Sequence, residues 1–231
     1  MARTLVLASA LLAAACFAGA ASAHDDAYAK PSAPPSGAAA FAFTLPEPGS
    51  YRLPPIRAAA GGQVLAEDGS RIDLAALLRG SITVFSFIYT RCADICPDAT
   101  MRLADLRERA RRYPALGDGL RLVSMSFDPS HDTPSVMRDY GALWRTSGDG
   151  GAEWRFLTAA GRPQLAPILA AYDQAVAPVD PKDPTGGLDH ILRVFLIDRA
   201  GQIRNVYSMD FLDPELVLTD ILTLAGESAG D

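Results

Sequence analysis

The 231-residue chain is short of the residues that build metal clusters and cross-links, with three cysteines and three histidines in all. So few thiols exclude a disulfide scaffold, a multi-cysteine zinc ribbon and an iron–sulfur cluster held by four thiolates. Any metal site must be small and use few protein ligands. There is also no basic block of about five or six Lys/Arg, the run that marks an interaction tail. With a net charge of −6, the chain carries no electrostatic footprint for nucleic acid. No internal repeat is visible. What remains is an ordinary folding composition, 49 % hydrophobic and 21 % charged, in a length that suits one full core.

The N-terminus reads as an address. Met1-Ala2-Arg3 precedes an uncharged run from Leu5 to Ala20, and Ala21-Ser22-Ala23 ends it. A positive start, an apolar middle and an A-x-A end describe a secretory signal peptide, residues 1–23. The alternative is an uncleaved membrane anchor, because the run approaches the roughly 20 residues a spanning helix needs. Ala13-Ala14-Ala15-Cys16 also loosely suggests a lipoprotein site. Each reading places the domain outside the cytoplasm, which in a bacterium means the periplasm. Residues 24–55 are rich in Pro, Ala, Ser and Gly and read as a tether or extended strap. Within it Phe41, Phe43, Leu45, Tyr51 and Leu53 alternate with small or polar residues, so its later half is expected to lie against the domain that fills residues 56–231.

Strands and helices then alternate. Gln63–Leu65 and Arg71–Leu74 flank Asp68-Gly69, a hairpin signal. Ile82–Tyr89 is a nearly continuous apolar run, as in a strand buried on both faces. The spacing predicts a helix over Pro97–Arg112, a buried strand over Leu120–Phe127 and a helix opened by the Thr133-Pro134 cap. A short edge strand follows at Trp154–Leu157, then a helix at Pro163–Tyr172. Pro178, Pro181, Pro184 and Gly186-Gly187 mark a long loop before strands at Ile191–Ile197 and Ile203–Tyr207 and a closing helix at Pro214–Leu224. The pattern is an α/β domain with a central mixed β-sheet and helices on both faces.

The chemistry gathers after the first buried strand, at Thr90-Arg91-Cys92-Ala93-Asp94-Ile95-Cys96-Pro97. Two cysteines four apart sit in a strand-to-helix turn at the mouth of the sheet, where open α/β folds bind ligands. Cys96 precedes a proline suited to the first helical position, and the helix dipole there favours thiolate. Three uses of the pair stay open: redox cycling, a soft metal such as Cu(I), or a structural disulfide. The third is disfavoured because so short a loop adds little constraint to the unfolded chain. Imidazole partners are few. His24 would be the first residue after cleavage, where an amine and an imidazole on one residue can chelate Cu(II), although a solvated terminus explains it as well. His131 lies in the polar turn Asp128–Thr133, and a lone histidine of that kind is more often a surface residue than a ligand. His190, in Leu188-Asp189-His190, stands between the long loop and a buried strand.

Taken together, these motifs resemble the Sco/SenC family, thioredoxin-fold copper chaperones of cytochrome c oxidase assembly, over roughly Gly62–Leu224. The pieces carrying the resemblance are the Asp-Gly hairpin, Tyr89-Thr90-Arg91-Cys92 with Cys96-Pro97, and Ser126-Phe127-Asp128-Pro129 with Asp132-Thr133-Pro134. Trp154-Arg155-Phe156-Leu157-Thr158, Asp189-His190 and Leu196-Ile197-Asp198 with Gly201 complete the set. The resemblance implies a thioredoxin-like sheet, with Cys92, Cys96 and His190 as ligands of Cu(I), or of Cu(II) with an added ligand. It implies Asp189 and Asp128 as carboxylates that orient His190 or tune the site; the plainer reading of each is a cap, a turn or a surface charge. It implies a recipient cuproprotein, the copper-bearing subunit of a cytochrome oxidase, and membrane contact only through the N-terminus. Ala93 stands where many relatives have proline, and Ile191 where a small polar residue is common. The competing function is a thiol–disulfide oxidoreductase working through Cys92 and Cys96 alone. A peroxidase reading is weaker, because Thr90 is two residues before Cys92 and no Thr-x-x-Cys pattern is present.

Overall fold

The computed structural model describes residues 44–92, 95–145, 151–180, 182 and 187–227. The leader, Cys16, His24 and the tether up to Phe43 lie outside the described residues. The elements run β1 (Arg57–Ala58), β2 (Gln63–Ala66), β3 (Arg71–Asp73), α1 (Leu74–Leu77), β4 (Ile82–Ile88), α2 (Ile95–Ala110) and β5 (Leu120–Ser126). Then come α3 (Pro134–Trp144), β6 (Glu153–Thr158), α4 (Arg162–Ala171), β7 (Val176–Pro178), β8 (Leu188–His190), β9 (Val194–Ile197), β10 (Gln202–Tyr207) and α5 (Pro214–Gly226). Eight strands form one sheet in the order β1-β10-β9-β4-β5-β6-β2-β3, while β7 and β8 pair separately as a small hairpin.

β4, β5 and β6 are parallel neighbours, with Ile82 opposite Leu120 and Ile88 opposite Ser126. β9 joins β4 antiparallel, and β2 joins β6 antiparallel. The seven residues of β4 are all buried, as a central strand covered on both faces requires. Their two-residue period divides the core. Ile82, Val84 and Ile88 face a cluster completed by Leu103 and Leu106 of α2, Met137 of α3 and Val217, Leu218 and Ile221 of α5. Phe85, Phe87 and Tyr89 face the other cluster, with Leu74 of α1, Leu165 and Ile168 of α4, and both Cys92 and Cys96. Serine hydroxyls inside the sheet satisfy one another: Ser86 Oγ lies 3.0 Å from Ser124 Oγ, which also accepts from Trp154 Nε1 at 3.1 Å.

Local signals explain the boundaries. Gly69 takes φ +83° in the β2–β3 turn, and the Asp68 carboxylate accepts the Ser70 N–H at 2.8 Å. Thr133 caps α3 with Pro134 inside its first turn, and Asp213 caps α5 by accepting the N–H groups of Glu215 and Leu216. Three expectations change. The Trp154–Leu157 segment is interior, because the β2–β3 hairpin pairs beyond it and becomes the edge. The strand expected over Ile191–Ile197 is shortened to β9, and Leu188–His190, expected in the loop, forms β8 of the separate hairpin, so His190 stands off the main sheet. α2 begins at Ile95 rather than Pro97, so Cys96 lies inside the first turn.

The strap lies on the domain as its alternation suggested, over the described residues 44–55. Tyr51 donates to Asp220 Oδ1, the Leu53 carbonyl accepts from Arg204 Nε, and the Gly49 N–H donates to Thr223 Oγ1 at 3.0 Å. Asp220 is a buried carboxylate whose Oδ2 also accepts from Tyr207 at 2.6 Å and Asn205 at 2.8 Å. Burial, chiefly, and the bond to Asp220 push the Tyr51 phenol up to about 12. Among the described residues no helix is long and apolar enough to cross a membrane. Asp220→Ala orphans these donors and is expected to lower the unfolding free energy by about 3 kcal/mol. Urea denaturation should show a lower midpoint at unchanged slope.

Candidate metal centre

Cys92 and Cys96 are free thiols, and both are buried, at 8 % and 0 % exposure. β4 delivers Cys92 from the end of the central strand, and the first turn of α2 carries Cys96. The Cys96 N–H donates to Cys92 Sγ at 3.4 Å. The third expected donor arrives from the separate hairpin: His190 Nε2 stands 3.8 Å from Cys96 Sγ, although 94 residues lie between them in the chain. Its Nδ1 faces the Leu188 carbonyl at 3.4 Å. A carbonyl only accepts, so that contact places the ring proton on Nδ1 and turns the Nε2 lone pair toward the sulfur. The imidazole is walled by two rings, Phe127 at 4.7 Å and Tyr89 at 5.7 Å between centroids.

The dipole argument for a thiolate at Cys96 does not hold. Its hydrogen bond with the Cys92 thiol and its burial push the thiol far up, and the nearby Asp132 carboxylate acts in the same direction. The helix dipole at that first turn is outweighed by the hydrogen bond with Cys92 and by burial. Burial likewise raises the phenols of Tyr89 and of Tyr140, the latter to about 12.

The turn itself is held by two carboxylates from the β5–α3 loop. Asp132 has no exposed surface, and its oxygens accept from the Thr90 N–H at 3.1 Å, from Thr90 Oγ1 at 2.5 Å and from Ser126 Oγ at 2.5 Å. Asp128 Oδ2 pairs with Arg91 Nη2 at 2.5 Å. Asp128 is therefore neither at the surface nor on the imidazole: its carbonyl makes the turn, accepting the His131 and Asp132 N–H groups, while its carboxylate grips the residue before Cys92. Asp189 is exposed, and strand alternation turns its side chain to the face opposite His190. The group that contacts the second imidazole nitrogen is thus the Leu188 carbonyl, not either carboxylate. His131 is exposed on the β5–α3 loop. Asp132 is the residue sequence reasoning missed; its only signal was its place in the Asp132-Thr133-Pro134 turn.

Two thiols and an imidazole suit a soft, low-coordinate ion. Metal–sulfur bonds of about 2.3 Å and metal–nitrogen bonds of about 2.0 Å, meeting at a trigonal angle, hold sulfur and nitrogen about 3.7 Å apart. The Cys96–His190 pair meets that spacing. Among the described residues no three His, Cys, Asp or Glu side chains are already closed as a cage.

Comparison with known proteins decides the family. A family model described as SCO1/SenC matches residues 63–226. The chain belongs to the SCO1/SenC family. The SCO1 protein homolog of Bacillus subtilis is 26 % identical over 144 residues, 62 % of this chain and 69 % of that protein. The structure of Bradyrhizobium japonicum ScoI with copper bound superposes with a TM-score of 0.61 at 23 % identity, covering 72 % of this chain and 99 % of that one. BsSco, a member of the Sco family of cytochrome c oxidase assembly proteins, superposes with a TM-score of 0.59 at 20 % identity over 79 % of this chain and 99 % of that one. The sheet and helices described above are thus the thioredoxin-like Sco architecture.

Because Asp132 ties the ends of β4 and β5 together, Asp132→Ala is expected to destabilise the domain by about 3 kcal/mol. The Thr90 amide should lose its hydrogen-exchange protection ahead of the rest of β4.

Proposed function

We propose that the chain is an exported copper metallochaperone that holds Cu(I) through Cys92, Cys96 and His190 and passes it to a cuproprotein. Copper is cargo here, bound and released by ligand exchange. The observation carrying the reading is the 3.8 Å approach of His190 Nε2 to Cys96 Sγ, across 94 residues of chain. Membership of a family that includes copper-bound ScoI and cytochrome c oxidase assembly proteins supports the recipient as the dinuclear copper centre of cytochrome c oxidase. Cu(II) binds at the same residues with one added ligand.

The environment suits acquisition and release. The hydrogen bond with Cys92 and burial push the Cys96 thiol up, so an ion bound there displaces its proton. Three soft donors leave one side of the ion open to an incoming ligand of the recipient. The leader at residues 1–23 supports a periplasmic location, either released or held at the membrane by its N-terminus.

A second reading is favoured by the free dithiol: transfer of two electrons and two protons from Cys92 and Cys96 to a recipient disulfide, leaving a Cys92–Cys96 disulfide. His190 separates the two. His190→Ala is expected to lower Cu(I) affinity at least tenfold while the dithiol still reduces a model disulfide at near the original rate. Cys92→Ser and Cys96→Ser should each abolish both properties. Anaerobic Cu(I) loading with metal analysis and a competing chelator provides the measurement; full copper affinity in His190→Ala would overturn the three-donor site.

A further inference from the structure

We propose that Tyr89 is a positioning residue whose phenol latches the His190 hairpin onto the end of β4, and so holds the imidazole within reach of the thiols. The inference rests on the metal site proposed above and adds the device that assembles it.

Val176 and Leu188 pack on the second core cluster, but among the described residues no strand of the main sheet pairs with the hairpin. β7 and β8 are three residues each and pair only with one another. An isolated two-stranded hairpin of that length is marginal in water. Its strands leave half of their backbone groups pointing outward. The Val179 N–H donates to the Gly187 carbonyl at 3.0 Å, which makes the neighbouring Pro178–Leu188 pair a non-hydrogen-bonded one. The N–H and carbonyl of Leu188 therefore face away from β7. Both meet Tyr89: the Leu188 N–H donates to the Tyr89 hydroxyl at 3.3 Å, and that hydroxyl lies 3.4 Å from the Leu188 carbonyl, positioned to donate. These are long hydrogen bonds, but they satisfy a donor and an acceptor with one group and tie β8 to the strand that delivers Cys92.

The ring adds a second restraint. Tyr89 packs on Phe127 at 5.0 Å, and both rings contact His190, Tyr89 edge-on at 87°. Tyr89 is 6 % exposed. The Leu188 carbonyl also faces His190 Nδ1. One backbone unit thus registers the phenol on one side and the imidazole on the other. Phenylalanine at position 89 would keep the ring packing and remove only the hydroxyl.

The test is Tyr89→Phe, alone and with His190→Ala, in the full domain. Without copper, hydrogen exchange at the Leu188 amide should accelerate at least tenfold in Tyr89→Phe, with β4 amides unchanged. With copper, affinity should fall about fivefold in the single variant. The imidazole-nitrogen coupling in the Cu(II) spin-resonance spectrum should weaken or broaden. In the His190→Ala background the same substitution should change affinity by less than twofold, a coupling that general destabilisation would not produce. Unchanged Leu188 exchange, or an equal affinity loss in both backgrounds, would overturn the proposal. If none of the proteins binds copper, the functional reading fails and the exchange result alone decides the latch.

Discussion

Asp132 lies where two parallel strands run out of partners. β4 and β5 are bonded residue by residue as far as Ile88 and Ser126, and beyond that point each chain must leave the sheet with its polar groups satisfied. A single buried carboxylate does this for both, taking the Thr90 N–H and hydroxyl from one strand end and the Ser126 hydroxyl from the other. Three donors on one anion make its burial tolerable. The direction in which the chain leaves β4 follows from that anchorage, and Cys92 stands two residues further on. Asp128, gripping Arg91, fixes the intervening residue. The position of the dithiol is therefore set by the loop after β5 as much as by the strand that carries it.

Burial then governs the chemistry of the sulfurs. A helix start and an open sheet edge argue for a reactive thiolate, yet the Cys96 thiol sits in the second core cluster with no exposed surface. Its proton is held by the neighbouring thiol and by the absence of water. A thiol so held is a weaker nucleophile than an exposed one, and a metal ion bound there must displace its proton.

Much of the architecture could be read from residue order. The apolar run of β4, the Asp68-Gly69 turn, the Thr133-Pro134 cap and the alternation of strands and helices each appear where local chemistry puts them. The Cys–x–x–x–Cys turn and His190 were nameable because few such residues exist in the chain. What was not legible depends on distant partners. Whether Trp154–Leu157 is an edge is decided by where the β2–β3 hairpin docks. That Leu188–His190 is a strand at all is decided by its finding β7, hidden in a proline-rich stretch. Asp132 looked like part of a polar turn, because its three donors come from two other segments. The role of Asp189 could not be foreseen either, since strand alternation, and not adjacency to His190, sets the face it occupies.

The strap makes its strongest contacts at Asp220 and Thr223 of α5 and at Arg204 of β10, and β1 continues it along β10. A tug on the chain upstream of Leu45 would therefore be shared among these bonds at the far flank of the sheet, loaded in shear along β10. One strand, β9, lies between that flank and β4, and α5, which the strap also grips, shares a core cluster with α2, the helix that carries Cys96.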